Sequence, residues 1–169
     1  MATDTGISIL TIDDDPMVRR TLVVYLKKCG LGVYEAGNGA EGIAVFEREH
    51  PDLVLVDLRM PGMDGFAVLE ALSARAPETP LVVVSGADVI NDAIEAQRKG
   101  AWDYVTKPVS PMSVLRHTID NVLERAELRR QNERYHRQLE ENLRKIKEDE
   151  RAGKKVQMRL LPPEQCVFG

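Results

Sequence analysis

The sequence predicts an α/β fold, a doubly wound five-stranded parallel sheet followed by a long C-terminal helix. Three apolar runs rich in β-branched residues, at residues 7–12, 53–56 and 81–84, are nearly continuous rather than alternating. That pattern is typical of strands buried on both faces of a parallel sheet. Two weaker strand candidates lie at residues 32–36 and 102–105, and helix-like stretches separate all five. Such regular alternation predicts right-handed crossovers with helices on both faces.

Four helices are predicted between the strands, because apolar residues recur there at three- and four-residue spacing. These residues are Val18, Leu22 and Leu26, then Ile43 and Phe46, then Phe66, Leu69 and Leu72, then Ile90 and Ile94 followed by Gln97. The helices should end near Gly30, Gly100 and the Ala76-Pro77 step, since glycine and proline interrupt helices.

The character of the sequence changes after Val109. Residues 112–152 contain neither glycine nor proline, and charged residues dominate. After a phase slip near residue 127, a weak heptad seam consists of Leu128, Asn132, Tyr135, Leu139, Asn142 and Ile146. This pattern predicts a long helix that forms a homodimeric coiled coil within residues 112–152. The alternative is a single solvated helix.

Charge and composition exclude several classes of protein. Residues 1–120 hold 11 Lys and Arg against 18 Asp and Glu, whereas residues 121–169 hold 12 against 9. An acidic domain is not typical of direct nucleic-acid binding, and the mixed charges of the tail indicate a solvated helix. No apolar run approaches the roughly 18–20 residues of a membrane span, and no signal peptide is indicated. Cys29 and Cys166 lack metal-ligand spacing, so we expect a reducing, cytoplasmic environment.

Polar side chains follow four of the predicted strands. These residues are Asp13, Asp14 and Asp15 after the first strand, Asp57 after the third, Ser85 after the fourth and Lys107 after the fifth. Closely packed carboxylates repel unless a cation such as Mg²⁺ neutralises them. A carboxylate nucleophile beside a metal, a hydroxyl and an ammonium suits phosphoryl transfer. Singly, each residue also fits a cap, a turn or a solvated surface, but their joint occurrence at one sheet edge favours a site.

Four segments of the chain carry a resemblance to a known family. They are IDDDP at residues 12–16, VDLRMPGMDG at 56–65, VSGA at 84–87 and DYVTKP at 103–108. In order and spacing they resemble the receiver domain of bacterial two-component response regulators, over roughly residues 6–125. The resemblance implies the flavodoxin-like strand order 2-1-3-4-5, for which a member of this family is itself a standard example.

The resemblance also implies a role for each acidic residue. Asp57 would accept a phosphoryl group from a histidine kinase with the help of Mg²⁺. Asp14, Asp57 and the backbone carbonyl of Arg59 would bind the ion directly, and Asp13 would bind it through water. Asp15 is left as a possible cap for the helix that follows.

The remaining site residues would bind and report the phosphoryl group. By the resemblance, Lys107 and Ser85 would contact it, and Gly86 would leave the site open to the donor. Ser85 would turn inward and Tyr104 would occupy the vacated space, which changes the face built from the fourth helix, fifth strand and fifth helix. Family members usually hold the bond between Lys107 and Pro108 in the cis form.

The tail suggests how the signal is used. We expect a receiver at residues 6–125, a helical coiled-coil linker at 126–152 and the truncated start of an output domain at 153–169. Residues 152–163 resemble the opening of PP2C-like phosphatase modules of the sporulation and stress-response type, and the whole arrangement resembles the RssB type of regulator. An amphipathic helix end before Pro162 and Pro163 is the alternative.

Four functions can be considered for this organisation. In the first, the receiver relays the state of Asp57 to its own output domain. In the second, it is a phosphorylation-controlled adaptor for a stress sigma factor or an anti-sigma antagonist. In the third, it is an Mg²⁺-dependent phosphatase, but Arg59 stands where a general acid would be needed, so the chain is not expected to be an enzyme. A flavin binder is disfavoured because aspartates replace a phosphate loop after the first strand.

Overall fold

Five strands alternate with five helices in the predicted order. The computed structural model describes residues 6–86 and 88–160, with side chains described up to residue 154. The strands are β1 Ser8–Ile12, β2 Gly32–Ala36, β3 Leu53–Val56, β4 Leu81–Ser85 and β5 Asp103–Thr106. The helices are α1 Pro16–Lys28, α2 Gly39–Glu49, α3 Gly65–Arg75, α4 Val89–Arg98 and α5 Ser113–Leu160. All strand pairs are parallel in the order β2-β1-β3-β4-β5, which confirms the predicted fold.

Burial of the central strands explains their continuous apolar sequence. Every residue of β3 and β4 is buried. Successive side chains of a strand point to opposite faces, so Val54 and Val56 pack in one cluster, whereas Leu53 and Leu55 pack in the other. The first cluster includes residues of α2, α3 and α4, and the second includes residues of α1 and α5. A doubly wound sheet therefore needs apolar residues at consecutive strand positions.

Local signals begin and end the helices. Asp15 caps α1, since its side chain accepts hydrogen bonds from the N–H groups of Met17 and Val18, as predicted. Helices α1 and α4 each end two residues before a glycine, Gly30 and Gly100, whose φ angles of 80° and 108° lie in the left-handed region that favours glycine. The predicted helix ends are therefore confirmed.

Helix α4 does not bury the apolar residues that predicted it. Ile90 and Ile94 are 72% and 50% exposed, whereas Asp92 and Ala96 are buried. Three- and four-residue spacing predicts a helix correctly here, but it does not identify the face that packs on the sheet. A small residue and a charged residue occupy that face instead.

Helix α5 changes character along its length. Leu115, Ile119, Val122 and Ala126 are buried and form one apolar stripe at three- and four-residue spacing. Residues 131–154 are all exposed. The chain divides into two units between Leu128 and Arg129. The helix continues past the predicted end at residue 152 through Gly153, because the surrounding residues favour a helix strongly enough to tolerate one glycine. The helices that the structure describes contain no apolar stretch of the length needed to span a lipid bilayer.

The predicted domain boundaries at residues 125 and 152 remain predictions. Most of the segment that suggested an output module, including Pro162, Pro163 and all of residues 161–169, lies outside the described residues. The same is true of Ala87, between β4 and α4.

Gly65 allows α3 to begin directly against the end of β3. A Cβ at this position would lie 2.2 Å from the carbonyl oxygen of Asp57 and 2.6 Å from Cα of Leu58. Both atoms belong to the backbone, so they cannot move aside as the end of a flexible side chain can. We expect Gly65→Ala to lower the free energy of unfolding by roughly 1–3 kcal/mol, the usual cost of overpacking, in urea titrations. Gly153→Ala is the control, because a Cβ there meets no described atom within 4 Å. An equal effect of both substitutions would contradict this account.

Candidate functional site

The ends of four parallel strands bring the predicted site residues to one edge of the sheet. Asp13 and Asp57 follow β1 and β3, Ser85 ends β4, and Lys107 follows β5. Backbone hydrogen bonds continue past the strand ends: Asp57 N–H donates to the carbonyl of Ile12 at 2.9 Å, and Lys107 N–H donates to that of Ser85 at 3.1 Å. The backbone at these positions is therefore held by the sheet rather than by loops.

Three carboxylates form a cluster suited to a cation. Asp13, Asp14 and Asp57 each offer an oxygen atom, and these atoms all lie within 4.8 Å of one another. Asp13 and Asp57 are only 2% and 6% exposed, and Asp14 is more exposed than either. Hard carboxylate oxygens at this spacing fit Mg²⁺, which takes oxygen ligands and commonly uses one or two carboxylates. Asp15 is not part of this cluster; it serves as the cap of α1.

Lys107 supplies a positive charge to two of these carboxylates. Its Nζ lies 2.7 Å from Oδ2 of Asp13 and 3.3 Å from Oδ2 of Asp57. Burial opposes the charged form of Lys107, but the hydrogen bond to Asp13 and the charge of Asp57 outweigh burial and raise its pKa. The ammonium therefore stays charged at neutral pH and offsets the repulsion between two buried carboxylates. The bond between Lys107 and Pro108 is cis, as the resemblance implied.

Arg59 contacts Asp57 through its backbone and helix α4 through its side chain. Its N–H donates to Oδ1 of Asp57 at 3.3 Å. Its Nη2 lies 2.9 Å from both carboxylate oxygens of Asp92 on α4. Sequence reasoning missed the role of Asp92 because an acidic residue near the start of a helix is common for reasons unrelated to any site.

Ser85, the last residue of β4, and Tyr104 on β5 are joined by a hydrogen bond. Ser85 is fully buried, and its Oγ has no hydrogen-bond partner among the described residues. The Tyr104 hydroxyl donates to the backbone carbonyl of Ser85 at 3.4 Å. Burial raises the pKa of Tyr104, although this hydrogen bond acts in the opposite direction. The hydroxyl is therefore neutral at physiological pH.

Gly86 keeps the space beside Lys107 open. A Cβ at residue 86 would lie 3.3 Å from Cβ of Lys107, closer than most such contacts. The three histidines, His50, His117 and His136, are exposed.

Comparison with known proteins identifies the family. The response regulator receiver domain matches residues 9–120, more than half of the chain. The protein belongs to this family.

Two curated relatives and one solved structure illustrate the similarity. Protein PilH of Pseudomonas aeruginosa is 39% identical over 117 residues, which are 68% of this chain and 96% of PilH. The probable transcriptional regulator ycf27 of Porphyridium aerugineum is 38% identical over 119 residues, 70% of this chain and 49% of the relative. The crystal structure of a response regulator receiver domain protein from Clostridium thermocellum is similar with a TM-score of 0.68 and 28% identity, covering 72% of this chain and 98% of that one.

These similarities establish the general function of the family, but they do not identify an output module for this chain. Receiver domains belong to the response regulators of two-component systems, in which phosphorylation controls signalling, and they bind Mg²⁺ at an acidic pocket. The chain spans about half the length of the ycf27 relative, whereas it covers 96% of PilH. The comparisons support neither the RssB-type likeness nor the phosphatase-like output module, and they do not favour the adaptor alternative.

The contribution of Lys107 to stability should depend on pH. Its pKa is raised above the ordinary value near 10.5, so its stabilising effect is complete below that value and is lost as pH rises through the folded-state pKa. We expect Lys107→Met to lower the urea midpoint at pH 7 in the presence of EDTA, and the difference from wild type to narrow above pH 10.5. Exposed Lys28→Met controls for the loss of one charge. A difference that stays constant up to pH 11 would be evidence against a charged Lys107 stabilising the cluster.

Proposed function

We propose that the protein is a signalling switch in which Asp57 accepts a phosphoryl group from the phosphohistidine of a histidine kinase. The observation that supports this proposal most strongly is the meeting of Asp57 with Asp13, Asp14 and Lys107 at one edge of the sheet. An oxygen of the Asp57 carboxylate attacks phosphorus, and the bond between phosphorus and the imidazole nitrogen breaks. Its electron pair stays with the nitrogen, and the product is an aspartyl phosphate.

Carboxylate oxygens of Asp14 and Asp57 and the backbone carbonyl of Arg59 would hold Mg²⁺, with Asp13 acting through water. When bound, the ion supplies positive charge that offsets the charge on the transferring phosphoryl oxygens. The oxygen-only donor set and the mutual repulsion of the three aspartates fit such an ion.

Lys107 and Ser85 are proposed to hold the phosphoryl group in the product. The Lys107 ammonium already contacts Asp57, so it is placed to pair with a phosphoryl oxygen. The buried Ser85 hydroxyl would gain the hydrogen-bond acceptor that the described residues do not offer it. The Tyr104 hydroxyl donates a hydrogen bond to the Ser85 backbone, so a movement of Ser85 would change a contact made by β5. The small Gly86 leaves room for the donor.

Phosphorylation of Asp57 can be measured directly. The wild-type chain incubated with acetyl phosphate and Mg²⁺ should gain the mass of one phosphoryl group, and Asp57→Asn should gain none because the nucleophile is lost. Omission of Mg²⁺ should reduce the adduct strongly. Asp15→Asn is the matched control, since asparagine also caps helices and Asp15 lies outside the cluster. An Asp57→Asn variant that is labelled as well as wild type would rule out the assignment.

The exposed part of α5 is proposed to pair with a second copy of this chain and to relay the switch to an output domain. Its large exposed apolar residues lie within an 80° arc of the helix, at 100° per residue. They are Leu128, Tyr135, Leu139, Leu143 and Ile146. The sequence-based seam named Asn142 instead of the neighbouring Leu143. Because Leu115 and Ile119 are fully buried in the receiver core, we narrow the proposed dimer from residues 112–152 to the part after residue 126.

Charge favours a parallel arrangement of the two copies. With Leu139 and Ile146 at heptad position a, Lys145 of one helix faces Glu150 of the other, and this charged pair is attractive. Each apolar side chain of the stripe is about half exposed, and burying that half contributes on the order of 1 kcal/mol. Summed over the stripes of both helices, this gain in free energy only moderately exceeds the free-energy cost of the motional freedom lost on association. We therefore expect a weak dimer that depends on protein concentration.

Light scattering at increasing protein concentration tests this dimer. The wild-type chain should approach twice its monomer mass, and Leu139→Lys should remain monomeric because a charge at the seam stays hydrated. Glu140→Lys, on a different face of the same helix, is the control. In a background without Cys29 and Cys166, Leu139→Cys should oxidise to a covalent dimer if the helices are parallel and in register. A monomeric wild-type chain at high concentration, with and without acetyl phosphate, would refute the proposal.

A further inference from the structure

One residue joins the acceptor aspartate to helix α4. The backbone N–H of Arg59 donates to Oδ1 of Asp57, and its guanidinium contacts both carboxylate oxygens of Asp92. Asp57 and Asp92 therefore share Arg59, although they belong to different elements of the fold. Any change in charge at Asp57 acts on a residue that already holds α4.

Asp92 is buried, so its negative charge depends on Arg59 as a partner. Its side chain is 8% exposed, and in the part of the chain that the structure describes both hydrogen bonds to its carboxylate come from Arg59. A buried carboxylate is costly unless it is paired, and removal of its partner leaves an uncompensated charge. The Arg59 side chain is 57% exposed, so it can leave Asp92 without itself losing contact with water.

The start of α4 lacks the support that the earlier helices have. Asp15, Asn38 and Asp64 each cap their helix with a side-chain hydrogen bond to the first turn. Asp88, at the start of α4, makes no such bond among the described residues. Among the residues that the structure describes, the ion pair between Arg59 and Asp92 is thus the hydrogen-bonded side-chain interaction that ties the first turns of α4 to the segment after β3 that carries Asp57.

A phosphoryl group on Asp57 would compete with Asp92 for the same guanidinium. Arginine pairs with phosphate through two parallel hydrogen bonds, and such charge-assisted bonds are strong. Arg59 is anchored two residues from the phosphorylated position and already contacts Asp57 through its backbone. Phosphorylation adds negative charge at Asp57 and none at Asp92. It therefore strengthens the attraction of Arg59 to residue 57 relative to its attraction to Asp92.

We propose that Asp92 holds Arg59, and with it the start of α4, in the unphosphorylated protein, and that phosphorylation of Asp57 draws Arg59 away. Asp92 is then buried without its counter-ion, and the first turns of α4 loosen. This inference rests on the proposed phosphorylation of Asp57. It adds a second connection from Asp57 to the surface, separate from the contact between Ser85 and Tyr104.

Loosening of the start of α4 would affect an apolar part of the protein surface. Val89, Ile90 and Ile94 of α4 are 39%, 72% and 50% exposed. Loosening of the helix start changes how these side chains are presented to a partner or to another part of the protein. Asp92 thereby acts as a positioning residue for α4, and the phosphoryl state of Asp57 decides whether it can do so.

Hydrogen exchange of the full chain tests the proposal. Mass spectrometry would follow peptides covering residues 88–98 with and without acetyl phosphate and Mg²⁺, and intact mass would measure the phosphoryl adduct in the same samples. In the wild-type protein, exchange at the start of α4 should become faster on phosphorylation by on the order of tenfold, as expected for the loss of one charge-assisted hydrogen bond. The double variant Ser85→Ala and Tyr104→Phe should show the same acceleration wherever its adduct forms, because the connection through Arg59 is retained.

Two further variants separate this role from simple support of the helix. Asp92→Asn keeps the shape but removes the charge, so its α4 should exchange fast before phosphorylation and change little afterwards. Arg59→Gln should behave similarly, and Glu95→Gln, which removes an exposed carboxylate of the same helix, should behave as wild type. A complete adduct in the wild-type protein without faster exchange in α4 would overturn the inference and leave the proposed function intact. Absence of the adduct would instead overturn the proposed function and this inference with it.

Discussion

The contact of Lys107 with two buried aspartates balances the charges at the functional edge of the sheet. Parallel strands end at the same edge of a sheet, so β1 and β3 place Asp13 and Asp57 side by side. Two buried carboxylates repel, and water is largely excluded from them. The Lys107 ammonium, brought by β5, offsets this repulsion. Because these charged groups lie so close together, a metal ion or a phosphoryl group bound among them would change every contact that they make.

The backbone around this charge cluster leaves little freedom. Hydrogen bonds that continue the sheet fix Asp57 and Lys107, and α3 begins so close to Asp57 that only glycine fits at position 65. Side chains at the ends of rigid strands hold their positions more accurately than side chains on long loops. The rigid part of the site is therefore the part that binds charge, and changes in charge must be absorbed elsewhere.

The structure offers two places where such changes can be absorbed. One is the buried Ser85 hydroxyl with Tyr104 beside it, and the other is Arg59 with Asp92 on α4. Both connect the acidic cluster to the region of α4 and β5, and both depend on a buried polar group whose partners are few. Buried polar groups of this kind have large energetic differences between satisfied and unsatisfied states, which makes them suited to a switch.

The amino-acid sequence was sufficient to predict the fold class, the helix ends and the residues that meet at the sheet edge. Local signals are enough for these predictions: continuous apolar strands, glycines at helix ends and aspartates after strands. Because parallel strands end at the same edge of a sheet, the residues that follow them lie close together. Only the tertiary structure shows that α4 buries Asp92 rather than Ile90 and that Arg59 pairs with Asp92. These features depend on which face of each helix meets the sheet. Periodicity does not specify that face, because packing against distant residues selects it.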